Sequence, residues 1–278
     1  MSEHQFISFD ETPVYYRHLE TVSPSKAILI IVHGMGEHGG RYQDFAQSLV
    51  GFGIESFIPD LRGFGKSGGK RACVKKFSDY HRDLEALHSF VARHHKETPI
   101  FLMGHSFGGL IASSYLAFSQ YPKTRGLVLT SPLYGIALPV PLWRHCLGML
   151  LSVLAGDHCE PSNVNPAFLT HDRELLGGYP RDPLIFHNIS ARLYREFKTM
   201  MDRKNEMAAK LTLPVLMLQA GEDFVVSKDR AIEFYDQIRS TDKELEVYEG
   251  FYHEILNEIK RDSVYSRIGT WLLKHSSC

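Results

Sequence analysis

Three short runs without a single polar side chain, Ala27–Val32 (AILIIV), Ile100–Met103 (IFLM) and Val215–Leu218 (VLML), set the tightest limits on the fold. A strand with one wet face alternates apolar and polar residues, so a run apolar throughout has to be covered on both sides. A helix-patterned segment follows each run: Tyr42–Val50, Phe107–Phe118 and Asp229–Ile238. Further strand-like pieces at Glu55–Ile58, Gly126–Leu129 and Leu245–Tyr248, with helical pieces at Phe77–His94 and Ser263–Leu273, continue the alternation. Such β-α-β succession predicts an α/β fold with a mostly parallel central sheet and helices on both faces. An opening hairpin, Phe6–Phe9 and Val14–Leu19 about the turn residues Asp10-Glu11-Thr12-Pro13, is expected ahead of it.

From Pro132 to Thr212 the alternation stops, giving way to prolines, an apolar stretch at Trp143–Leu154 and a helical pattern at Ala191–Met201. The reading is one α/β core, residues 1–131 and 213–278, interrupted by an inserted, mostly helical cap, 132–212. No repeat or flexible linker sets the cap apart as an independent domain. The stretch Leu138–Ala155 contains Arg144 and His145 and falls short of the ~20 apolar residues that span a bilayer. With 31 basic against 32 acidic residues and no dense Lys/Arg block, the electrostatic footprint of a nucleic-acid partner is missing. Met1-Ser2-Glu3-His4-Gln5 has no secretory pattern, so a cytoplasmic location is expected. Cys73, Cys146, Cys159 and Cys278 show no metal-ligand spacing and are expected to be reduced thiols.

Chemistry enters at Gly104-His105-Ser106-Phe107-Gly108, which closes the strand Ile100–Met103 and opens an apolar helix. That strand-turn-helix setting is what a nucleophile elbow requires: small neighbours let the chain turn sharply and leave the serine hydroxyl exposed. A serine hydroxyl needs a base in hydrogen-bond reach and a carboxylate to orient that base. In the chain order Ser, Asp, His expected of this fold, His253 follows the last strand and Asp223 follows Val215–Leu218, with Glu222 and Asp229 as rival carboxylates. Two backbone amides must meet the developing oxyanion. Phe107, directly after the nucleophile, supplies one, and Met35 in His33-Gly34-Met35-Gly36-Glu37-His38 the other. His33 and His38 are read as loop braces, since no clustered carboxylate or thiol completes a metal site. Gly63-Phe64-Gly65-Lys66-Ser67-Gly68 matches GxGxxG literally, but the residues after it delay any helix, so neither nucleotide nor other cofactor is expected.

The segments HGMGEH from His33, PDLRGFGKSGG from Pro59, GHSFGG from Gly104, AGEDFVV from Ala220 and YHEILNE from Tyr252 together resemble the monoacylglycerol lipase and lysophospholipase branch of the α/β-hydrolases, over nearly the whole chain. The resemblance implies a serine hydrolase with Ser106, Asp223 and His253 as triad, Met35 and Phe107 as oxyanion donors, and Pro132–Thr212 as a lid that shapes an acyl site. A small lipid monoester, monoacylglycerol or lysophospholipid, is then the expected substrate. Family members often have a small residue where Met35 stands and Met where Phe107 stands, which leaves the pocket entrance open to change. A short-chain carboxylesterase, an aminopeptidase-like serine hydrolase and a non-catalytic ligand-binding member remain as alternatives. For the apolar residues Trp143, Leu147, Met149, Leu150, Leu151 and Leu154, three roles stay open: lining an acyl tunnel, resting on a membrane surface, or packing on the core.

Overall fold

The computed structural model describes residues 1–119, 124–137, 141–162 and 164–277, apart from the side chains of residues 142 and 144. Ten strands are seen among them, eight in one sheet. In chain order the strands of the main sheet are β1 (Ser2–Ile7), β2 (Pro13–Leu19), β3 (Ala27–Val32), β4 (Ile54–Pro59), β5 (Ile100–His105) and β6 (Thr124–Thr130), then β9 (Val215–Ala220) and β10 (Lys243–Tyr248). Their spatial order is β1-β2-β4-β3-β5-β6-β9-β10. β1, β2 and β4 pair antiparallel, and every pairing from β4 onward is parallel.

The all-apolar runs are central because their side chains serve two cores at once. In β3, Ile28, Ile30 and Val32 point into one core, while Ala27, Leu29 and Ile31 point into the other, as the two-residue strand period requires. Helices α2 (Ser78–His94), α3 (Phe107–Phe118) and α8 (Lys228–Gln237) cover the first face through Leu84, Leu87, Leu110, Ile111, Ala231 and Phe234. Helices α1 (Gln43–Val50) and α9 (Arg261–Ser276) cover the second through Phe45, Leu49, Ile268 and Trp271. The chain has the α/β-hydrolase fold.

Between β6 and β9 the chain forms α4 (Leu142–Leu154), α5 (Arg173–Gly178), α6 (Ala191–Asp202) and α7 (Lys204–Lys210), with a two-stranded ribbon of β7 (Cys159–Pro161) and β8 (Asn188–Ser190). The ribbon was not expected from the sequence, since three-residue strands held by backbone pairing leave no side-chain period. Leu193, Phe197, Met207 and Ala208 of this segment are buried in the same core as the sheet. Apolar burial thus runs on from sheet to insertion.

The hairpin is displaced from its expected position. β1 begins at Ser2, in register with His18, and stops before Phe9, which is 40% exposed with the Arg82 guanidinium 3.2 Å from its ring centre. Main-chain pairing rather than hydrophobicity defines this edge strand, and its side chains are mostly exposed. Residues Gly63–Gly68 fold back on themselves, with the Gly63 amide donating to the Gly68 carbonyl at 2.8 Å, and the next helix is α2 at Ser78. Cys73, Cys146 and Cys159 are free thiols, whereas Cys278 and the residues Leu138, Pro139 and Val140 of the apolar stretch lie outside the described residues. Among the described residues no helix is long and apolar enough to cross a membrane.

Candidate active site

Ser106 sits between β5 and α3 with φ 51° and ψ −118°, a backbone region that non-glycine residues rarely occupy and that costs on the order of 1–3 kcal/mol. The surroundings hold it there: the Ser106 amide donates to the Thr130 carbonyl at 3.0 Å, and the Ser106 carbonyl accepts from Gly109 and Leu133 at 2.9 and 3.0 Å. Close packing explains the glycines beside it. A Cβ at Gly104 would lie 2.3 Å from the Gly108 carbonyl oxygen, and one at Gly108 would lie 2.1 Å from that of Val32. Strand and helix therefore meet backbone to backbone, and the serine is thrust to the end of the sheet.

Three loops at the carboxyl ends of parallel strands bring the expected residues together. His253, after β10, places Nε2 2.9 Å from Ser106 Oγ and Nδ1 2.8 Å from Asp223 Oδ2. A carboxylate only accepts, so Nδ1 carries the proton and Nε2 is left to accept from the serine hydroxyl. Asp223, after β9, is itself fixed: Oδ1 accepts the amides of Val225 and Val226, both at 2.9 Å, and Oδ2 also accepts Gln219 Nε2 at 3.3 Å. The rival carboxylates lie elsewhere. Glu222 is exposed, and Asp229 is in the first turn of α8.

Burial opposes the charged form of His253, but the Asp223 charge and hydrogen bond outweigh it and raise its pKa above the ordinary histidine value. Burial likewise works against the Asp223 carboxylate, and the neighbouring imidazole with the Val225 and Val226 amides holds its pKa below the usual range. His105, whose ring centre is 5.0 Å from that of His253, is driven down to about 4, chiefly by burial and secondarily by His253. It therefore stays neutral, so it adds no second positive charge when His253 becomes protonated.

Met35 and Phe107 both line the cavity above Ser106. Phe107 is the first residue of α3, so its N–H has no acceptor within the helix. Met35 stands in the loop after β3, which is braced from several sides. The Leu61 amide donates to His33 Nε2 at 2.9 Å, and His33 Nδ1 donates to the Gly34 carbonyl at 2.7 Å. His38 accepts the Gly40 amide at Nδ1 and donates from Nε2 to Asp182 Oδ2 at 2.9 Å, tying this loop to the inserted segment.

Sequence reasoning missed a buried charged group beside the site. Arg41 donates two 2.7 Å hydrogen bonds to Glu254 and one of 3.2 Å to Glu37, and Glu37 also accepts the Gly34 amide at 2.6 Å and the Tyr42 hydroxyl at 2.7 Å. Burial would raise the Glu254 pKa, yet Arg41 brings it to about 2. Glu37 and Glu254 lay in plain view within HGMGEH and YHEILNE, but a loop carboxylate reads as solvated until tertiary contacts bury it.

The cavity measures about 580 Å³, within the range of small-molecule sites. Trp143, Leu147 and Leu151 of α4 and Tyr194 and Phe197 of α6 give it an apolar wall, while Glu37, Arg41, Glu254 and, from β7, Glu160 supply the charged part of the lining. The geometry suits attack of a serine oxygen on a carbonyl whose apolar substituent lies under the inserted segment.

The sequence pattern of the family described as serine aminopeptidase, S33, matches residues 23–260. An uncharacterized Escherichia coli (strain K12) protein, YnbC, is 32% identical over 97% of this chain, and this chain spans only 46% of that protein's length. Phospholipase YtpA of Bacillus subtilis (strain 168) is 30% identical over 86% of this chain and 92% of its own. Among solved structures, the monoacylglycerol lipase of Paleococcus ferrophilus superposes with a TM-score of 0.86 at 26% identity, covering 94% of this chain and 99% of that one.

Proposed function

The chain belongs to the monoacylglycerol lipase and lysophospholipase branch of the α/β-hydrolases, within the family described as serine aminopeptidase, S33, and from that membership we propose that it hydrolyses single-chain lipid esters with an uncharged head group. Ser106 attacks the ester carbonyl as His253 takes its proton at Nε2, and the Met35 and Phe107 amides bind the oxyanion. Collapse of the tetrahedral intermediate expels the alcohol, which takes the proton from His253. Water, deprotonated by the same imidazole, then releases the fatty acid and restores Ser106. The observation that carries this reading is the Ser106 hydroxyl, held 2.9 Å from a base at the floor of an apolar cavity.

Charge in the lining supports the choice of head group. Glu37 and Glu254 face the cavity, and Arg41 beside them is already committed to both. A phosphate there would meet two carboxylates and, among the described lining residues, no free Lys or Arg, whereas glycerol hydroxyls both donate and accept. Glu37 and Glu254, occupied by Arg41, offer no anchor to a substrate amine, which leaves Glu160 of β7 as the lining carboxylate an aminopeptidase would need and amino-acid anilides as its test. Outside the cavity, Leu150 and Leu154 of α4 are 56% and 74% exposed one turn apart. They form part of an apolar helix face at the cavity rim, suited to resting on a lipid surface.

One substrate series tests this. Glycerol monoesters of rising chain length, lysophosphatidate, acetyl esters and amino-acid anilides are compared, and long-chain monoacylglycerol is expected to exceed lysophosphatidate at least about tenfold in kcat/KM, since a like-charge clash exceeds ~1.4 kcal/mol. Leu150→Glu with Leu154→Glu is expected to lower turnover of vesicle-borne substrate several-fold and to spare monomeric acetyl ester. Preference for acetyl esters, or for anilides, would replace the proposal by the corresponding alternative.

The pH profile follows from His253. The base works only when neutral, and its raised pKa means that activity falls as pH drops through a midpoint above the ordinary value of about 6.5. An acid limb of kcat/KM centred clearly below that would show that no ionised Asp223 supports the imidazole.

A further inference from the structure

We infer that Glu258 is a positioning residue, a buried carboxylate that clasps the segment Leu169–Asp172 of the insertion to the loop carrying His253 and so sets the place of the base. The inference rests on the reading of His253 as that base. Its observation is independent of the triad contacts. Glu258 is 2% exposed and accepts four hydrogen bonds. Oε1 takes the Tyr252 amide at 2.9 Å and His171 Nδ1 at 2.8 Å, while Oε2 takes the Ile259 amide at 3.2 Å and the His171 amide at 3.3 Å.

The partners flank the base on both sides. Tyr252, directly before His253, is held by Glu258, and the amide of Glu254, directly after it, donates to the Leu169 carbonyl at 2.8 Å. Around this pair, Thr170 Oγ1 donates to the Asn257 carbonyl at 2.7 Å, Arg261 donates to Asp172 at 2.9 Å, and the His171 ring lies over Tyr252 with centres 3.7 Å apart. Beyond β10 the loop has left the sheet, so the Tyr252 amide has no strand to bond. A buried carboxylate with four donors supplies the rigidity that a strand would otherwise give. Because half of those donors belong to the insertion, movement of the insertion displaces His253, and a displacement near 1 Å costs about a hundredfold in rate.

The test compares Glu258→Gln, His171→Ala and His171→Gln with the parent and with Ser106→Ala, on p-nitrophenyl acetate, which reaches the serine without filling the acyl wall. Glu258→Gln turns one acceptor oxygen into a donor facing amides, and kcat is expected to fall about a hundredfold with KM unchanged. His171→Ala is expected to lower kcat several-fold at an unfolding midpoint within a few degrees of the parent, and His171→Gln, which restores a side-chain donor, to recover most of it. If Glu258→Gln does not fold, the two His171 variants decide the matter alone. Full kcat in folded His171→Ala, or a loss confined to KM, would overturn the clasp while leaving the triad intact. Wild-type turnover by Ser106→Ala would instead remove the premise that His253 serves a serine.

Discussion

Ser106→Ala is expected to lower kcat on a long-chain monoacyl ester by on the order of a million-fold, because it removes the hydroxyl that is proposed to form the acyl-enzyme and that lies 2.9 Å from His253 Nε2. The size of the loss reflects a unit: without the hydroxyl, the His253 base has nothing to deprotonate, and its bond to Asp223 orients an idle imidazole. What is expected to survive is the binding and the proposed oxyanion amides, worth about a thousandfold or more over water. The variant is expected to fold, since Ser106 is tied to its neighbours by backbone bonds to Thr130, Gly109 and Leu133 that alanine retains. Should alanine at φ 51° prove unstable, Ser106→Gly removes the same hydroxyl and suits that conformation. Single-turnover kinetics and loss of labelling by a fluorophosphonate measure the effect; a decrease smaller than about a hundredfold would mean that a different nucleophile carries the reaction.

The residues that gave away the fold act over short range or through pattern. AILIIV, IFLM and VLML are legible as buried parallel strands because nothing in them tolerates water, and GHSFGG is legible because close backbone approach admits only glycine at Gly104 and Gly108. Where the answer depended on pairing partners, the sequence was mute. β1 starts at Ser2 because β2 offers it a backbone ladder, and the β7–β8 ribbon joins Cys159 to Ser190 across a long excursion with no local signature. Chain order placed Asp223 and His253 after their strands, yet it left Glu222 and Asp229 as candidates, and only the tertiary arrangement puts one carboxylate against Nδ1. Glu37, Arg41, Glu254 and Glu258 illustrate the same limit. Their roles come from burial, and a charged residue in a loop looks alike whether it is buried or wet.

The second large effect concerns Asp223, where asparagine keeps the shape and reverses one hydrogen bond. Oδ1 accepts two amides, Val225 and Val226, so an asparagine must leave its oxygen there and place Nδ2 where Oδ2 stood, 2.8 Å from His253 Nδ1. An amide nitrogen can only donate, so the imidazole has to present a bare Nδ1 and carry its proton on Nε2. That N–H then points at Ser106 Oγ and cannot take its proton. The same change removes the negative charge that raises the His253 pKa and would stabilise the imidazolium as it forms, and it sets the Gln219 amide against another donor at 3.3 Å. Together these are expected to lower kcat about ten-thousandfold near neutral pH in Asp223→Asn, with KM and the unfolding midpoint little altered because the Val225 and Val226 bonds persist. Steady-state kinetics beside thermal unfolding make the measurement. A loss under tenfold would hand the orienting role to another carboxylate, and Glu222→Gln is the variant to compare, expected to behave as the parent because its side chain is exposed.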